Sequence, residues 1–177
     1  MTKIAQKGFT LIELLVVVSL IIVVVGVAGD IVVSLVRGYN KTQITNEVEQ
    51  NANFTMAKLE KELQNAYEVT AIQSDSITFK REKSGVGGIV TTETISYTVE
   101  SAGSDIYYIA RAVDGAAPVA VTNFSVVTAS ASFADISASA TPKVVKIILT
   151  MSQVGSALPQ FTQSTTLEST VIVRGSY

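Results

Sequence analysis

A single carboxylate, Glu13, stands in an otherwise apolar run from Phe9 to Gly29, broken besides only by Thr10, Ser19 and two glycines. An ionised group in such surroundings costs on the order of a few kcal/mol, which marks it as a functional candidate. Its chemistry is that of an ion pair. In the intact chain the nearest positive group is Lys7, across Gly8. If the chain were cut after Gly8, the new α-amine at Phe9 would lie four residues before Glu13, one helical turn away. That amine, or the same amine on a neighbouring copy, can pair with Glu13 where the dielectric is low and the attraction strong.

Other chemistry has little to work with. Histidine and cysteine are both absent, which excludes a Ser-His-Asp triad, the usual zinc sites, disulfides and thiolate chemistry. Asp105, Asp114 and Asp135 fall in presumed loops, and no spacing unites two of them as glycoside hydrolysis requires. They read as solvated loop acids, and no EF-hand pattern surrounds them. Gly85-Val86-Gly87-Gly88 is too short for a phosphate loop and lacks the following Lys-Ser/Thr. The residues therefore suggest no enzyme, cofactor or metal. A net charge of −2, from 13 basic and 15 acidic residues, gives no sign of a nucleic-acid partner.

The elements that would position Glu13 begin with the apolar run itself. Its 21 residues, as a helix, cover a hydrocarbon core of roughly 30 Å. Lys3 and Lys7 ahead of it place the N-terminus on the cytoplasmic side and the remainder outside. Gly26, Gly29 and Gly38 suit close helix packing in the membrane, or a helix that loosens when copies pack together. The mean hydropathy of +0.40 arises mostly in the first 36 residues. Beyond Tyr39 the sequence turns polar, yet Ile44, Val48, Ala52, Met56, Leu59, Leu63 and Ala66 keep helical spacing. Without a proline before Pro118, the spacing predicts a helix to about Val69, with a Lys58–Glu62 pair on its polar side.

After Val69 the period becomes two. Ile77 and Phe79 alternate within 76–81, and Ile95, Tyr97 and Val99 within 94–100. Further strands are expected at 106–111, 119–128, 143–151 and 164–174. Residues 84–88 read as a flexible connection, 101–105 as a hairpin turn, and the Ser/Ala-rich 128–141 as a surface loop or weak edge. A long helix followed by antiparallel strands is an α+β arrangement. It divides into 1–8, an apolar 9–36 suited to a membrane, an amphipathic 37–69, and a β-sheet head over 70–177.

Gly8-Phe9-Thr10-Leu11-Ile12-Glu13-Leu14-Leu15-Val16-Val17-Val18 resembles the leader and N-terminal motif of type IV pilins and type II secretion pseudopilins. The resemblance implies a ladle-shaped α+β protein whose leader carries Lys3 and Lys7. A prepilin peptidase would cut after Gly8 and methylate the nitrogen of Phe9. Glu13, with Thr10 beside it, would set assembly and register against a neighbour's amine. More loosely, the strands around Ile95–Arg111 and the Val-Ile-Val-Arg ending resemble J-type minor pseudopilins and related minor pilins.

The implied role is a structural subunit, minor rather than major since many major pilins carry a disulfide. Its implied partners are like subunits, the peptidase, an inner-membrane assembly platform and lipid. It would begin as a single-pass inner-membrane protein and end in an extracellular or periplasmic filament. Two alternatives share the apolar run: a secretory signal peptide ending at Val27-Ala28-Gly29, and a plain anchor for a β-rich binding or enzymatic domain.

Overall fold

The computed structural model describes residues 9–84, 88, 90–125, 127–139, 142–154 and 163–174. The chain divides into two units, 1–42 and 43–177, and a 54-residue helix, α1 (Leu11–Gln64), has residues in both.

In the first unit α1 runs unbroken through Gly26, Gly29 and Gly38. Polar side chains along it satisfy themselves on the helix backbone. Ser19 Oγ donates to the Val16 carbonyl at 2.8 Å, and Thr42 Oγ1 to the Gly38 carbonyl at 3.0 Å. The large apolar side chains from Leu11 to Val36 are all exposed.

In the second unit the remainder of α1 buries one face: Val48, Ala52, Thr55, Met56, Leu59 and Leu63, spaced by three and four. The helix stops at Gln64, short of the expected Val69. Asn65 ends it, donating from its backbone N–H and from Nδ2 to the Lys61 carbonyl. Ala66, whose spacing suggested more helix, instead opens strand β1 (Ala66–Ile72). Burial of Ala66 satisfies either geometry, and the β-branched residues that follow favour the strand.

Strands β2 (Ser76–Ser84), β3 (Val90–Gly103), β4 (Ile106–Val113) and β5 (Val119–Ala120) complete a five-stranded antiparallel sheet in the order β1-β2-β3-β4-β5. The β3–β4 turn is Ser104-Asp105, with φ of 44° and 62°, the two-residue hairpin geometry whose twist matches its strands. Of the expected connection 84–88, residues 85–87 lie outside the described residues.

A second antiparallel sheet contains β6 (Val127–Asp135), β7 (Val144–Gln153) and β8 (Ser164–Ile172), in that order. Two expectations are corrected here. The strand foreseen over 119–128 is only the two-residue β5, and β6 begins where it was to end. In the Ser/Ala-rich stretch, read as a surface loop or weak edge, the loop alternative gives way: most of it is β6, an edge strand. Ala129 and Phe133 bury one face of it while Ser and Ala suffice on the other. Pairing with β7, from Val127↔Gln153 to Asp135↔Val145, makes up for the weak strand propensity of small residues.

One apolar core gathers α1 and both sheets, with Leu59, Leu63, Phe79, Tyr97, Ile109, Ile147 and Met151 among its members. Among the described residues it draws nothing from those before Val48. Thr55 is fully buried within it, and its Oγ1 has no hydrogen-bond partner among the described residues. A hydroxyl in that state loses hydration without recompense. Thr55→Val, similar in shape, is therefore expected to raise stability by about 1 kcal/mol, seen as a higher urea midpoint at unchanged slope.

Candidate functional site

The residues expected to do chemistry lie at the start of α1. Gly8, Lys3 and Lys7 fall outside the described residues; Phe9, Thr10 and Glu13 fall within them. Phe9 is 75% exposed. Thr10 is the residue before the helix, and its Oγ1 accepts from the backbone N–H of Glu13 at 3.3 Å, while its carbonyl accepts from Glu13 and Leu14 at 3.1 and 3.2 Å. Thr10 is thus the N-cap, with Glu13 three positions on. The sequence held this signal in Thr-x-x-Glu, a capping-box pattern, although Thr10 was singled out there only for assembly.

The cap fixes where Glu13 stands. It lies in the first helical turn, where unpaired backbone N–H groups and the helix dipole favour negative charge. Its carboxylate is exposed, on a residue four positions after Phe9. Beyond it α1 is the one described helix long and apolar enough to cross a membrane.

The second unit holds a polar cluster that sequence reading missed. On the inner face of the first sheet, alternation continues past the apolar residues into charge. Ile77 and Phe79 lead to Arg81, Tyr97 and Ile95 to Glu93, and Ile109 to Arg111. Strand pairing sets Arg81 opposite Glu93 and Tyr97 opposite Arg111. From the end of α1, Glu62 accepts from Tyr97 Oη at 2.8 Å and from Arg111 Nε at 2.9 Å, with Arg81 at 3.8 Å. Arg81 and Lys83 both pair with Glu93, at 2.9 and 2.6 Å. Burial, reinforced by Glu62, pushes the Tyr97 phenol far above its ordinary range. It stays a neutral donor at any working pH, which suits a structural clamp between helix and sheet.

This cluster also corrects the expected Lys58–Glu62 pair. Glu62 turns to the sheet, and the Lys58 ammonium sits 5.9 Å from the centre of the Phe54 ring.

The three loop acids have separate tasks. Asp105 shapes the β3–β4 turn. Asp114, at φ 52°, accepts from the Thr94 N–H at 2.7 Å. Asp135 accepts from Lys143 and from both the hydroxyl and N–H of Ser137. Among the described residues no group of three acidic side chains could hold a metal.

Lys143, then the Ser137 hydroxyl and N–H, hold the Asp135 carboxyl at about 2, below its ordinary 3.8. A depressed carboxyl stabilises the fold fully above its unfolded value and loses that contribution as pH falls through the folded one. Lys83 and Arg81 lower the Glu93 carboxyl likewise. Stability is therefore expected to drop between about pH 4 and pH 2, and Asp135→Asn to flatten part of that drop. Urea midpoints across this range, for wild type and variant, give the comparison.

Residues 3–29 match the model of the prokaryotic N-terminal methylation motif. No curated protein and no solved structure matches the chain. A precursor N-terminus of the kind prepilin peptidase processes thus leads into a long apolar helix and an α+β body. By this motif the N-terminal segment of the chain is similar to that of type IV pilin-like precursors.

Proposed function

We propose that the protein is a structural subunit of a type IV pilus-like filament or pseudopilus, present as a minor component. One observation carries the reading. The helix that opens on a capped Glu13 exposes every large apolar side chain from Leu11 to Val36. Such a surface needs lipid before assembly and like helices after it.

Cleavage after Gly8 removes Lys3 and Lys7, leaving 11 basic against 15 acidic residues, and frees the Phe9 amine for methylation. Cutting and assembly are then coupled through charge. Only the cut chain presents an amine that Glu13, on the same or a neighbouring copy, can neutralise. Packing into an apolar filament core then no longer buries a lone carboxylate. The lysines before the span keep the N-terminus cytoplasmic and the second unit outside. The motif's family is structural, and the acids of the second unit serve turns and ion pairs. The lack of cysteine, in contrast to many disulfide-bearing major pilins, supports the minor role.

Intact-mass analysis of the membrane-extracted protein, with and without a prepilin peptidase, tests the reading. A chain starting at methylated Phe9 only when the peptidase is present is the expected result. A start at Met1 under both conditions, or at Asp30, would replace it with an anchored or secreted domain. Glu13→Ala is expected to be cut normally yet fall at least tenfold in sheared filaments, judged by immunoblot. Undiminished incorporation would remove Glu13 from assembly.

A further inference from the structure

The β4–β5 connection closes over the side of α1 to form a groove of about 260 Å³. Lys58 of α1 and Arg111 of β4 line it, and Ala116, Ala117, Val119 and Ala120 make an apolar wall. No carboxylate lines it. Glu62 reaches Arg111 through Nε, and Lys58 has no ion pair among the described residues, only its approach to Phe54. In the neighbouring ion pairs Arg81, Lys83 and Arg111 share two carboxylates, Glu62 and Glu93, and Lys58 adds a further positive charge. A chain that is acidic overall thus concentrates positive charge here.

We infer that this groove is a docking site for a glutamate or aspartate side chain presented by another polypeptide. A groove of about 260 Å³ that is open to solvent has room for one side chain presented from outside it. Its chemistry decides for a carboxylate. The methylenes of a glutamate lie along the alanine wall while its oxygens reach two cations of different geometry, a point-like ammonium and a planar fork. A nucleic-acid backbone needs a broad basic track and bases a stacking platform, and small alanines supply neither. The inference stands apart from filament processing, because every residue it uses lies in the second unit.

The test uses the full chain in detergent micelles with lysines carrying 13C-dimethyl labels, the Lys58 signal being identified by its loss in Lys58→Gln. The probes are two capped hexapeptides of alanine and glycine, one with a central glutamate and the other with glutamine there. The expected result is a saturable shift of the Lys58 signal with the glutamate peptide and none with the glutamine peptide. Ala117→Leu, which fills the wall without altering charge, is expected to weaken that binding by about tenfold or more. Equal response to both peptides, or shifts spread evenly over all lysines, would overturn the site. So would a Lys58 response untouched by Ala117→Leu, since attraction to loose surface charge would then account for it.

Discussion

Phe79→Ala is expected to lower the stability of the second unit by about 3–5 kcal/mol. Phe79 is fully buried on β2, its ring stacked against Tyr97 at 6.2 Å between centroids. It fills the space between the first sheet and the buried face of α1, in a core shared with Leu59, Leu63 and Ile95. Removing the ring forfeits its transfer free energy and leaves a cavity that a β-strand, pinned by pairing on both sides, cannot collapse to fill. Small domains are typically stable by about 5–15 kcal/mol, so the loss is a large fraction of the whole. Since the core contains nothing before Val48, a fragment of residues 43–177 suits the measurement. Its urea midpoint should fall steeply in Phe79→Ala with the slope unchanged. A loss below about 1 kcal/mol would mean the packing of helix on sheet is misjudged.

The second large effect belongs to Glu62. Its side chain is 12% exposed and that of its partner Arg111 20%, while Tyr97 is fully buried. Glu62→Ala strips the carboxylate and strands a guanidinium and a phenol hydroxyl together. Orphaning one member of a buried pair costs about 3–5 kcal/mol, and the partial exposure here reduces that to roughly 2–3. Tyr97→Phe, which removes a single hydrogen bond, should cost only about 1 kcal/mol. The double variant separates the contributions. With the phenol hydroxyl gone, Glu62→Ala has less to strand, so the pair should cost less than the sum of the single changes. Strict additivity would show that Tyr97 and Glu62 do not act as a unit.

Much of this architecture was legible because two periods change at identifiable places. The spacing of Val48, Ala52, Met56, Leu59 and Leu63 marks the buried helical face, and Ile77, Phe79, Ile95 and Tyr97 mark the inner face of a sheet. Misreadings arose where a residue suits two geometries. Ala66 continues the helical spacing and yet starts β1, because the local competitor at Asn65 captures the Lys61 carbonyl. The serines and alanines of β6 carry no strand signal of their own, and only pairing with the strongly apolar β7 holds them extended. At the N-terminus the motif was readable because spacing there is the message: glycine, aromatic, carboxylate. The Glu62 cluster was not, since its members are 19 to 49 positions from Glu62 and meet only through strand register.

The absence of residues 9–47 from the core also bears on how such a chain can change over time. On the proposed function, the N-terminal segment must satisfy a protease, a bilayer and neighbouring helices with one stretch, so few replacements serve there. The core of the second unit must satisfy only volume and alternation, which many apolar sets meet equally well. Substitutions in the body leave the N-terminal motif untouched. The match to a known motif accordingly falls on residues 3–29. A new body can be carried on an old address.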